Sequence, residues 1–202
     1  MEVFDQLAEK YQGEHSHNPF QAALTERLSG LLPAGASVLD LGCGTGVPTA
    51  KTLTESDHRV VGVDISETML RYAREQVPAA EFVHANFAEL PADFGTFDAV
   101  TAFFSLLMLS KAQIESTLEK VPGWLTPGGY LGIGMVNFDA DSIPTEFLGV
   151  PVTVSGYLQA DLAALLERKG FTVVSIETVA FTPPGGPVES QIYALAKAVD
   201  RH

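Results

Sequence analysis

A chain of 202 residues is long enough for one domain with a substantial core. Its 12 Lys and Arg against 25 Asp and Glu leave a formal charge of −13, which repels phosphate backbones and anionic membranes. A single cysteine excludes a disulfide framework, and no apolar run reaches the length of a membrane span.

The N-terminus is acidic and lacks an apolar run, so no secretory leader is expected and a cytoplasmic location is the default. Phe4, Leu7, Ala8 and Tyr11 fall at helical spacing and predict a short amphipathic helix. A polar stretch with His15 and His17 follows. Asn18-Pro19 opens a second helix, with Asn as N-cap, Pro at the first helical position and Gln21 expected to close a capping box. Phe20, Leu24, Leu28 and Leu31 form its expected inner stripe.

Val38 to Leu41 is a short apolar run and predicts a buried strand, with a helix expected over Val47 to Leu53. Between them stand Gly42, Gly44 and Gly46. Such a turn brings backbone close to a ligand, because glycine carries no Cβ and tolerates positive φ. The following helix start offers free N–H groups to an anion. Asp40 sits at the end of the strand, where a buried charge needs a partner.

Arg59 to Ile65 predicts a second buried strand, ending on Asp64, 18 residues beyond Gly46. An acid at that tip of a Rossmann-type unit accepts hydrogen bonds from ribose hydroxyls. Glycine loop and acid together point to a nucleoside. The spacing is G-x-G-x-G rather than the G-x-G-x-x-G of dinucleotide sites. Asp40-Leu41-Gly42-Cys43-Gly44-Thr45-Gly46 resembles the first motif of class I S-adenosylmethionine-dependent methyltransferases, (D/E)-x-G-x-G-x-G, at every fixed position.

The resemblance extends over roughly residues 18–198. It implies an α/β fold: a Rossmann-like seven-stranded mixed sheet with strand 7 antiparallel and helices on both faces, in one domain spanning residues 1–202. Ser66 caps a helix carrying Met69, Leu70, Tyr72 and Ala73, and Glu81 to Ala85 predicts the third strand. After it, Asn86 takes the place of the acid that binds the adenine amino group in many relatives; an amide can still accept from N6 and donate to a ring nitrogen. Phe87 stacks or packs there. Phe97 to Phe104 is the expected fourth strand, whose end holds the methionine portion in the family. The implied cofactor set is thus Asp40, Gly42, Gly44, Gly46, Asp64, Ile65, Met69, Asn86, Phe87 and Phe103, binding S-adenosylmethionine and its product S-adenosylhomocysteine.

Ser110 to Val121 predicts a surface helix, Trp124 to Gly129 a turn, and Tyr130 to Val136 the fifth strand. Residues 137–157 read as a long apolar loop containing Pro144, Gly149, Pro151 and Gly156, expected to cover a pocket together with an N-terminal cap over residues 1–32. Ala160 to Lys169 is a helix closed by Gly170, and residues 172–181 and 189–197 form a final hairpin.

Methyl transfer from a sulfonium requires alignment more than acid–base groups. If the acceptor loses a proton, His15, His17, Tyr157 and Asp139 are candidates, because their segments flank the expected pocket. The absence of an Asn/Asp-Pro-Pro-Tyr motif and the location of Cys43 inside the glycine loop disfavour methylation of DNA bases. Phe103 and Phe104 stand where a catechol-type metal site needs an acid, so no metal is expected. The reading is a small-molecule methyltransferase resembling the bacterial quinone C-methylase group, a monomer or homodimer without nucleic-acid or membrane partners. Its alternatives are a cofactor-binding protein of the same fold that does not methylate, and an NAD-linked oxidoreductase.

Overall fold

The computed structural model describes Phe4, Asp5, Ala8, residues 18–183 and residues 187–199. In chain order its elements are α1 (Pro19–Ser29), β1 (Ser37–Leu41), α2 (Thr49–Glu55), β2 (Arg59–Asp64), α3 (Glu67–Gln76), β3 (Glu81–His84) and β4 (Phe97–Phe103). They continue with α4 (Lys111–Trp124), β5 (Leu125–Val136), β6 (Ala140–Phe147), β7 (Val150–Gly156), α5 (Gln159–Arg168), β8 (Phe171–Phe181) and β9 (Glu189–Ala198). No helix among the described residues is long and apolar enough to cross a membrane.

Seven strands form one sheet in the order β3-β2-β1-β4-β5-β9-β8. The first five are parallel, and β9 runs antiparallel to both β5 and β8. This is the expected seven-stranded mixed sheet, closed by the expected hairpin. Period-two alternation divides the core. Leu39 and Leu41 join Val100, Ile133 and the fully buried Trp124 on one face, while Val38 joins Leu24, Leu28, Leu53 and Ala99 on the other. The Trp124 indole donates to the Pro91 carbonyl at 2.8 Å, so its one polar atom is satisfied.

Local chemistry sets the helix starts. Asn18 Oδ1 accepts from the amides of Phe20 and Gln21, capping α1 as expected. The expected capping box is not formed there, because the Gln21 side chain donates instead to Thr49 Oγ1 at 2.9 Å. The inner stripe is also rotated: Gln21, Leu24, Thr25 and Leu28 are buried, whereas Phe20 and Leu31 are exposed. A true capping box closes α4, where Ser110 and Gln113 exchange bonds. Ser66 Oγ accepts the Met69 amide at 3.1 Å to start α3.

Two further expectations change. The Thr126-Pro127-Gly128-Gly129 turn lies within β5, as a bulge between the Phe97–Leu125 and Ala99–Tyr130 pairs. Residues 137–157 are not a loop but carry the β6–β7 hairpin, a two-stranded sheet of its own. Leu148 and Gly149 turn it, both at positive φ (52° and 75°), as a tight two-residue hairpin requires. Pro144 and Pro151 lie in strands with no further neighbour, where proline is tolerated.

Candidate active site

Strand order reverses at β1 and β4, and open α/β sheets bind ligands beyond the carboxyl ends of the strands at such a point. A cavity of about 530 Å³ lies there. Its floor is the loop after β1. Gly42, Gly44 and Gly46 all have positive φ (69°, 53° and 79°). They serve different ends. A Cβ on Gly42 would stand 2.3 Å from Ser105 Cβ, so this glycine admits the turn after β4 rather than the ligand. A Cβ on Gly46 would press on Val77 and Phe82 in the core. Gly42 and Gly44 line the cavity; Gly46 does not.

Asp64 lines the cavity at the end of β2. Its Oδ2 accepts from Gly44 N and its Oδ1 from Ser66 N, both at 2.9 Å. Burial raises its pKa, and the bonds from the Ser66 and Gly44 amides oppose that rise. Asp40 is buried beneath the loop, outside the cavity lining, on the strand position paired with Thr101. Thr101 Oγ1 donates to it at 2.7 Å. Loss of solvation nevertheless pushes the Asp40 pKa up to about 7. The buried Cys43 thiol is likewise pushed well above its ordinary value by desolvation and the two nearby carboxylates, which keeps it protonated.

Ile65, Met69, Asn86, Phe87 and Phe103 line the same cavity. The structure therefore brings together eight of the ten expected cofactor residues, leaving Asp40 and Gly46 beneath the loop. Asn86 also shapes its own turn, where its Oδ1 accepts from Ala88 N and its Nδ2 donates to Glu89 Oε1. This arrangement fits an adenine nucleoside. A carboxylate is available to sugar hydroxyls and an amide to a base edge, apolar side chains border a flat ring, and the floor at Gly42 and Gly44 is bare of side chains.

The expected bases are placed differently. His15 and His17 lie outside the described residues. Tyr157 is buried in the core rather than at the cavity, its hydroxyl without a hydrogen-bond partner among the described residues and Lys111 Nζ 4.6 Å from its ring centroid. Burial and nearby carboxylates push its pKa up to about 12, the wrong direction for a base. Asp139 pairs with Lys111, and Asp141 accepts the Lys111 amide.

The hairpin forms the roof. Ile143, Thr145 and Phe147 of β6 and Val152 and Val154 of β7 present one face to the cavity, as their register demands. On that same face Phe147, Val150 and Val152 pack with Phe4, Ala8 and Met69. Asp5 accepts from Ser66 Oγ at 2.6 Å, so the N-terminal segment is tied to a residue two positions beyond Asp64. The sequence offered Asn18 and Gln21 only as helix caps and did not mark Glu189 or Gln191 at all, yet all four line the cavity, with Phe104 and Ser105 from the end of β4. One signal was present: Gln191 stands directly before the apolar run Ile192 to Ala196 and is buried with it, a polar side chain that needs partners inside the protein.

Residues 38–129 match the model of a methyltransferase domain family. An uncharacterized methyltransferase of Synechocystis is 34% identical over 146 residues, covering 69% of this chain and 68% of that protein. A demethylmenaquinone methyltransferase of Symbiobacterium thermophilum is 34% identical over 146 residues, covering 63% of this chain but only 55% of that protein. The solved DhpI–SAH complex superposes with a TM-score of 0.76 at 22% identity, covering 99% of this chain and 95% of that one. Motif, sheet order and relatives agree: the chain belongs to the class I S-adenosylmethionine-dependent methyltransferases.

Proposed function

We propose that this methyltransferase acts on a small, mostly apolar acceptor held between the glycine loop and the β6–β7 hairpin. One observation carries the reading. A single cavity runs from Gly44 and Asp64 to the apolar face of the hairpin, so cofactor and acceptor share one enclosure. Its volume, about 530 Å³, suits small molecules rather than a polymer. The charge of −13 opposes nucleic acid. A relative named for methylation of demethylmenaquinone supports a small acceptor.

Asp64, Gly44, Asn86, Ile65, Met69 and Phe87 would hold the cofactor, and Phe103 would border its methionine end. S-adenosylmethionine supplies a methyl group already activated on a sulfonium. The chain's own part is to align the acceptor for in-line attack and to keep water out. The hairpin and the N-terminal segment meet through Phe147 and Phe4 and would act as that cover. Transfer of label from methyl-labelled S-adenosylmethionine to members of a small-molecule library, with product identified by mass spectrometry, tests the reading. Cofactor binding without transfer to any member would favour a binding protein of the same fold.

A further inference from the structure

Where β9 borders the cavity the lining is polar, through Asn18, Glu189 and Gln191, and their hydrogen bonds can be oriented without ambiguity. Asn18 Oδ1 already caps α1, so its Nδ2 must donate, and it does so to Gln191 Oε1 at 3.0 Å. Tyr193 Oη donates to the same oxygen at 2.8 Å. Gln191 must then present its amide nitrogen to the other side, where Nε2 donates to Glu189 Oε2 at 2.9 Å. Gln191 is 3% exposed, so this network is anchored inside the protein. It ends on a carboxylate facing the cavity.

Among the described residues three carboxylates line that cavity: Asp64, Glu146 and Glu189. Asp64 is engaged by the Gly44 and Ser66 amides at the β2 end. Glu146 sits on the exposed hairpin opposite Pro151. Glu189 lies on β9, beyond β4 and β5 and therefore across the cavity from the nucleoside end at β2 and β3. Among the described residues no cation pairs with it, and its Oε1 carries no hydrogen bond.

Building on the methyltransferase reading, we propose that Glu189 is the acceptor-binding residue and that Gln191 positions it. The acceptor class follows. It carries an O–H or N–H directed at Glu189 Oε1 and an apolar body that lies against Phe147, Val152 and Val154. A carboxylate accepts only, so a fully methylated heteroatom finds no partner there. In the reaction the acceptor oxygen or nitrogen forms the new bond to the methyl carbon. The carbon–sulfur bond breaks with its electron pair going to sulfur, and the acceptor's proton passes to Glu189 Oε1. The cation and the carboxylate are both neutralised, so charge balances.

Calorimetry on protein saturated with S-adenosylhomocysteine tests this with 4-butylphenol against 4-butylanisole, and 4-butylaniline against its N,N-dimethyl form. The parent should bind at least one donor about tenfold tighter than its methylated counterpart, the phenol and aniline arms separating oxygen from nitrogen acceptors. Glu189→Ala and Glu189→Gln should reduce that ratio to within about twofold while S-adenosylhomocysteine affinity is kept. Gln191→Met should lower the ratio in the parent and have no further effect on it in Glu189→Ala, which a merely structural role would not produce. A ratio that survives Glu189→Ala overturns the assignment. Failure of all four probes to bind, with S-adenosylhomocysteine still bound, overturns the acceptor class and leaves the cofactor site standing. Failure of S-adenosylhomocysteine to bind the parent overturns the reading beneath both.

Discussion

Asp64 Oδ2 accepts the Gly44 amide at 2.9 Å, which ties the acid of the second strand to the glycine loop of the first. The residue expected to hold the ribose is therefore also a brace for the cofactor loop. Asp64→Ala should weaken S-adenosylhomocysteine binding by roughly 1.5–3 kcal/mol through lost charged hydrogen bonds. It should also strand the Gly44 and Ser66 amides and lower the melting temperature of the unliganded protein. Calorimetric affinity equal to the parent's would place the ribose elsewhere.

Gly42 and Gly44 should separate on substitution. Gly42→Ala pushes a Cβ against Ser105 at positive φ, so it should destabilise the unliganded protein by about 1–3 kcal/mol in denaturant melts. Gly44→Val puts its side chain at the cavity floor and should abolish cofactor binding while the protein keeps its fold by circular dichroism. Cofactor binding by Gly44→Val at parent affinity would remove this glycine from the site.

The buried Asp40 gives stability a definite pH slope. Its folded pKa, about 7, lies above the ordinary 3.8, so the unfolded chain loses this proton first as pH rises. The protonated, folded form is fully favoured below about pH 4, and that advantage drains away between about pH 4 and 7. Asp40→Asn cannot ionise and should flatten the fall in melting temperature over that window. A fall of undiminished size in Asp40→Asn would assign the slope to other groups.

The bond from Ser66 Oγ to Asp5 links the N-terminal segment to the turn between β2 and α3. Deleting residues 1–12 removes Asp5 together with Phe4 and Ala8, the partners of Phe147, Val150 and Val152. Turnover should fall far more than S-adenosylhomocysteine affinity, and amide exchange over residues 140–156 should speed up. Parent-rate methylation by the truncated protein would show that this segment is not part of the cover.

The nucleoside end of the site was legible in the sequence because it depends on local chemistry. A buried strand, three spaced glycines, and an acid closing the next strand specify a loop geometry within 27 residues, Val38 to Asp64. The sheet followed from the family that this motif resembles. Other features were decided only by tertiary structure. Residues 140–156 read as a loop because proline and glycine punctuate them, yet they pair because a tight turn and an apolar surface beneath stabilise the hairpin. Tyr157 read as a cavity residue, yet it is buried in the core cluster, with Lys111 of α4 over its ring. Gly42 read as ligand clearance, yet Ser105, 63 residues on, occupies that space. The wall of Asn18, Gln191 and Glu189 joins residues up to 173 positions apart. Their meeting follows from β9 inserting antiparallel beside β5, a long-range pairing that leaves no mark in local periodicity.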